Sequence, residues 1–155
     1  MSTIHAEESR EIDASPQQVY AILRDYRVQH PAILPREYFK EVLVKEGGEG
    51  AGTVIQITMS LLGTQRVSVQ NVSEPEPGRV LVEAEPDGGA VTTFILEALD
   101  GGRRSHLTIA TDVKASPGVQ GFIERLVTPP LLRRVYRAEL EQLAQYVKGK
   151  YGRRG

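Results

Sequence analysis

Three histidines are the first residues to weigh for chemistry in this 155-residue chain, because imidazole is the side chain that titrates near neutral pH. His5 stands early in a first strand and His106 early in a last one. If those strands pair antiparallel, the two rings sit at opposite ends, which leaves no shared metal site. No helical His pair and no His–Glu spacing of a zinc enzyme occurs. His30 precedes Pro31 in a short Pro-bounded segment. Its readings are a gate, a general base or a hydrogen-bond donor to a ligand, against a plain packing role. Tyr26, Tyr38 and Tyr136 each have two readings: cavity wall with a partnered hydroxyl, or proton donor to an enolate or carbonyl oxygen. Glu8 and Arg10 share the parity of Ile4, Ala6 and Ile12, so strand alternation turns both toward the interior. There they would hold each other and grip the polar head of an otherwise apolar ligand, unless a bulge or strand end turns them to solvent.

Other chemistries lack their residues. There is no Cys, hence no disulfide, thiolate metal site or cysteine nucleophile. No G-x-S-x-G elbow and no G-x-G-x-x-G turn occurs, and the glycines at 47, 48, 50 and 52 lack the G-K-[ST] ending of a phosphate loop. No metal and no cofactor is expected. No basic-aromatic signature of a nucleic-acid module appears. With 40% apolar and 25% charged residues the composition is that of an ordinary globular domain. No apolar run approaches the ~18 residues of a membrane span. The polar, acid-bearing start is unlike a signal peptide, so a cytoplasmic location is expected. The net charge of −1 hides an asymmetry: eight basic and sixteen acidic residues in 1–100, eleven and four in 101–155. A basic helix lying on an acidic sheet accounts for that as well as a charged partner does.

The elements that must position these groups follow from periodicity. A first strand spans about Thr3 to Ala14. Ser15-Pro16 opens a helix, with Ser15 as N-cap and Pro16 at the first position. Val19, Tyr20, Ile22, Leu23 and Tyr26 form its apolar face, and it ends near Asp25. Residues 27–34 hold a turn or two of helix. Six strands follow, at about 38–46, 53–62, 65–73, 79–85, 90–99 and 104–114, with a turn over Glu74–Gly78. In the second of these Ile55, Ile57, Met59 and Leu61 share one face. Val119, Phe122, Leu126, Leu132, Val135, Tyr136, Leu140, Leu143 and Val147 place a helix at the end of the chain, kinked or broken at Pro129-Pro130. Lys148, Lys150, Arg153 and Arg154 among glycines read as a flexible basic tail over 149–155. The predicted class is α+β: a curved seven-stranded antiparallel sheet wrapped around a long C-terminal helix, with two short helices between strands 1 and 2. It forms one domain over 1–148.

The order of pieces resembles a known superfamily. Glu11–Pro16 running into Val19–Asp25, then Tyr26–Pro35, the Gly-rich turn over 47–54 and Pro130–Val147 are similar to the helix-grip fold of START, birch-pollen allergen and polyketide cyclase/dehydrase proteins. That resemblance implies a cavity between sheet and C-terminal helix, with His30 at its mouth. Ile57, Met59, Phe94, Phe122, Leu126 and Tyr136 are expected to line it, with Tyr26, Tyr38, Glu8, Arg10 and His30 as further wall or polar groups. The implied function is binding of a small hydrophobic molecule: a lipid, isoprenoid, polyketide or aromatic metabolite. The alternative is a cofactor-independent cyclase or dehydratase using acid/base groups in the same cavity. The oligomeric state is left open, a homodimer included.

Overall fold

The structure is a computed structural model that describes residues 2–152. Its elements run β1 (Thr3–Ile12), α1 (Pro16–Arg24), α2 (Gln29–Ala32), β2 (Phe39–Glu46), β3 (Val54–Leu61), β4 (Thr64–Glu76), β5 (Val80–Ala84), β6 (Ala90–Leu99), β7 (Arg104–Lys114) and α3 (Gly118–Tyr151). The seven strands form one antiparallel sheet in the order β1-β7-β6-β5-β4-β3-β2. From β2 to β7 consecutive strands are neighbours, and β1 extends the meander by pairing with β7 at its far edge. This is the helix-grip arrangement expected above.

The chain crosses from β1 into α1 on local chemistry. Ser15 Oγ accepts from Gln18 N at 3.2 Å and Gln18 Oε1 accepts from Ser15 N at 3.0 Å, a reciprocal capping box, with Pro16 as the first helical residue. The apolar side of α1 buries Val19, Tyr20, Ile22 and Leu23 against the sheet. The helix stops at Asp25, whose carboxylate accepts from the amides of Arg27, Val28 and Gln29 at 3.2, 3.1 and 3.4 Å. The Gly-rich turn then holds the end of α1: Tyr26 N donates to Gly48 O at 2.9 Å. Gly48 has φ +147, a backbone conformation that favours glycine, and the Arg27 guanidinium lies where a Cβ would point.

Several boundaries differ from expectation. β1 ends at Ile12, two residues early, because Ser15 caps α1 and the chain must turn before it. β4 runs on to Glu76, through what was expected to be a turn, with an irregularity between Ser73 and Glu76 that accommodates Pro75. α3 is continuous through Pro129 and Pro130. The two missing N–H groups are a local loss within 34 residues, and helix propagates from both sides. The helix also carries through Gly149 and Lys150 to Tyr151, which packs partly buried against the core, so residues 149–151 are helix and not the expected tail. Arg153 and Arg154 lie outside the described residues.

The largest correction concerns the phase of α3. Leu132, Val135, Tyr136, Leu140, Leu143 and Val147 are buried, whereas Phe122 and Leu126 are 65% and 64% exposed. At about 100° per residue, the stripe of Val119, Phe122 and Leu126 is centred roughly 90° around the helix from the C-terminal stripe. The two sets are not one face. Only the second grips the sheet. The inner side of the first half carries Gly121, Glu124 and Arg125 instead. No helix among the described residues is long and apolar enough to cross a membrane.

Candidate functional site

Sheet alternation sends a polar band across the concave face. Gln70 on β4, Glu83 on β5, Thr92 on β6 and Thr111 on β7 all point toward α3. Register makes Glu83 the neighbour of Thr92, and Thr92 the neighbour of Thr111. β4 is inverted relative to its neighbours: Val67 and Val69 are exposed on the convex side while Ser68 and Gln70 face inward. Around the band stand apolar walls from Ile55, Ile57, Met59 and Phe94, and from α3 the side chains of Tyr136 and Glu139. Together they enclose a cavity of about 50 Å³. A second cavity of about 100 Å³ adjoins it, sharing Met59, Gln70, Thr92 and Tyr136 and reaching Leu61 and Leu132.

The polar groups form a connected set. The Tyr26 hydroxyl donates to Glu83 Oε2 at 2.6 Å, fully buried. His30 is 3% exposed, stacked on Tyr26 with ring centroids 4.5 Å apart and edge-on to Phe94 at 5.5 Å. Its Nδ1 lies 2.6 Å from the Leu23 carbonyl oxygen. A carbonyl only accepts, so Nδ1 carries a proton and Nε2 is the atom turned toward Glu83, 3.6 Å from Oε2. On the other side Thr92 and Thr111 share a hydrogen bond of 2.7 Å, and Thr111 bonds the Tyr136 hydroxyl.

Glu139 is the unusual member. It sits on the core face of α3, 2% exposed, and its Oε2 has no hydrogen-bond partner; Gln70 Oε1 is likewise buried and unpaired. Burial, and then the charge of Glu83, push the Glu139 carboxyl well above its ordinary range, so it is held as the neutral acid. Burial does the same to Tyr26, reinforced by the charge and hydrogen bond of Glu83. Burial raises the Tyr136 hydroxyl to about 12, with its Thr111 and Thr92 hydrogen bonds acting against the shift. The cavity therefore has apolar walls, one orphaned amide oxygen from Gln70, and the unpartnered Glu139 carboxyl near the second carboxyl group of Glu83.

Of the residues expected here, Tyr26, His30, Ile57, Met59, Phe94 and Tyr136 do surround the cavity. Tyr38, Glu8, Arg10, Phe122 and Leu126 do not. Tyr38 stands just before β2 and packs on the core, and Phe39 takes the wall position beside Met59. Glu8 and Arg10 have the predicted parity, since Ile4, Ala6 and Ile12 are buried on the same side. But β1 is the edge strand beneath α3, and the helix supplies their partners. Arg137 donates to Glu8 at 2.9 Å and Arg10 pairs with Glu141. The expected polar grip is thus a clamp between sheet edge and helix, with Arg10 41% exposed. His5 faces Asp112 and His106 lies across from Glu11, at opposite ends of the β1–β7 pair as expected.

Glu83, Glu139, Gln70, Thr92 and Thr111 escaped the sequence reading. Their signal was present: Glu83 shares the parity of Leu81 in β5, and Glu139 falls on the stripe of Leu132, Val135 and Leu143. A charged residue at a core position of a well-patterned element is costly unless it has a use.

The family model described as polyketide cyclase / dehydrase and lipid transport matches residues 3–148. The KanY protein, solved in solution, is 28% identical with a TM-score of 0.81, and the match covers 96% of this chain and 100% of that one. The Zhui aromatase/cyclase from a Streptomyces species is 16% identical with a TM-score of 0.74, over 96% and 97% of the two chains. A START superfamily protein from Mycobacterium smegmatis is 17% identical with a TM-score of 0.62, over 94% and 95%. The last two likenesses are of fold. No curated protein matches the sequence.

Proposed function

Because the chain belongs to the polyketide cyclase/dehydrase and lipid transport family, we propose that it binds a small, mainly apolar molecule bearing a hydroxyl or other hydrogen-bond donor, between the sheet and α3. The observation that carries this reading is the pair of buried, unpartnered polar groups, the Glu139 carboxyl at Oε2 and the Gln70 amide oxygen Oε1, in a cavity with apolar walls. A buried acceptor without a partner costs about 1–3 kcal/mol, and a donor on the ligand recovers it. Ile57, Met59 and Phe94 supply the apolar contact, at about 25 cal/mol per Å² covered. At about 50 and 100 Å³ the two cavities are small, whereas pockets that enclose drug-sized ligands run to roughly 300–1,000 Å³. A ring-sized polyketide or aromatic metabolite therefore fits this reading better than a long-chain lipid. Met59, flexible and common to both cavities, is the side chain best able to give way.

One observation favours a second reading, proton-transfer catalysis of the cyclase or dehydratase kind. A neutral Glu139 near Glu83, with His30 Nε2 turned toward Glu83, supplies an acid and a base to one cavity. Both readings are tested by native mass spectrometry of the purified protein, extraction of any retained molecule, and titration of that molecule into wild-type protein and Glu139→Gln. Retention of an apolar, donor-bearing compound supports binding. Glu139→Gln then separates the two readings: the amide keeps a neutral polar contact and leaves binding within a few-fold, but it cannot give up a proton and abolishes turnover. A cavity that takes up no such compound, tested with hydroxylated aromatic probes, overturns both.

A further inference from the structure

We propose that the outward face of the first half of α3 docks on an anionic lipid surface. The proposal stands on surface geometry and does not depend on what the cavity holds. Val119, Phe122, Ile123, Leu126 and Val127 recur at intervals of three and four residues, which puts them on one helical stripe. All five face solvent, between 41% and 77% exposed. An amphipathic stripe of this kind ordinarily faces a core, and here the core-facing stripe of the same helix lies elsewhere around its circumference.

Charge says what covers it. Seven residues beyond Leu126 and Val127, on the same stripe, come Arg133 and Arg134. Neither forms an ion pair among the described residues, whereas Arg137 on the next turn is paired with Glu8. Between Ala115 and Ala138 the only acid is Glu124. Its carboxylate is turned away, accepting from Ser116 N at 2.8 Å and Ser116 Oγ at 2.7 Å. The face is therefore apolar at one end and cationic at the other, with no carboxylate on it. That pattern suits a helix lying in a bilayer interface, with aliphatic and phenyl groups in the acyl boundary and guanidinium groups on lipid phosphates. A second copy of the chain suits it less: this face has no acid to offer, and a self-contact would bury Arg133 and Arg134 unpaired. Leu62, 76% exposed at the β3–β4 tip, follows Leu61, which lines the second cavity.

The test is co-sedimentation of the whole protein with vesicles of phosphatidylcholine alone and of phosphatidylcholine with phosphatidylglycerol in equal parts. The wild type should pellet with the anionic vesicles and remain free of the neutral ones. Phe122→Ser with Leu126→Ser should weaken vesicle binding more than about tenfold, and Arg133→Gln with Arg134→Gln should weaken it about fivefold per arginine and reduce its salt dependence. All four positions are away from the packed core, so unchanged thermal unfolding of the variants certifies the fold. No pelleting with anionic vesicles overturns the proposal, as does pelleting that both double variants leave unchanged. A wild-type dimer that the serine variant dissociates, without vesicle binding, overturns it in favour of self-association.

Discussion

The hydroxyl of Tyr26 donates to Glu83 Oε2 at 2.6 Å with both side chains buried. It ties the end of α1 to the middle of β5, and it is the one hydrogen bond the Glu83 carboxyl group receives from a side chain among the described residues. Tyr26→Phe keeps the ring stacked on His30 and removes only the donor. The expected result is a loss of about 1–3 kcal/mol in urea unfolding. A variant as stable as the wild type would mean that another donor, water included, replaces the hydroxyl.

Glu139 makes stability depend on pH. Burial and the Glu83 charge raise its carboxyl well above the ordinary carboxylate range, so the folded chain holds this proton more tightly than the unfolded chain. The sign follows: its contribution is full below about the ordinary carboxylate range and is lost as pH rises toward the raised value, with a limiting slope of about 1.4 kcal/mol per pH unit. Glu139→Gln, neutral at every pH, should flatten the decline that sets in as pH rises above the ordinary carboxylate range. Parallel wild-type and variant profiles would place the titration elsewhere.

The two stripes of α3 should respond differently to truncation. Leu140→Ala, in the stripe that grips the sheet, is expected to cost about 2–5 kcal/mol. Phe122→Ala, on the solvent side, is expected to stay within about 0.5 kcal/mol. Equal costs in denaturant unfolding would mean that something covers Phe122 in solution.

Asp25 caps the chain after α1. Burial pushes its carboxyl up, but the amides of Val28, Gln29 and Arg27 and the Gln29 side chain outweigh this and hold it below the ordinary range of an aspartate. Its stabilisation is therefore present above the ordinary carboxylate range and lost as pH falls through the depressed folded value. Asp25→Ala should cost about 1 kcal/mol at neutral pH. Thermal unfolding should show the gap to wild type closing in strong acid. A gap that persists there would assign the cost to packing rather than charge.

Local pattern determined a good deal of this protein. Ser15-Pro16 announced α1, the alternation of Ile55, Ile57 and Met59 announced the inner face of β3, and the order of strands and helices announced the helix-grip fold. These are nearest-neighbour effects, written in spacing and capping chemistry. Six of the residues expected around the cavity are there for the same reason. What tertiary structure alone decided is which partner each inward residue meets. Glu8 and Arg10 point inward from β1 yet find Arg137 and Glu141, because α3 crosses that edge of the sheet. Phe122 and Leu126 are apolar at helical spacing yet face solvent, because they lie around α3 from the stripe that grips the sheet. Glu83 and Glu139 lie 56 positions apart in sequence, and only the closure of α3 over β5 buries both carboxyl groups in one cavity, where a low dielectric makes each sensitive to the other.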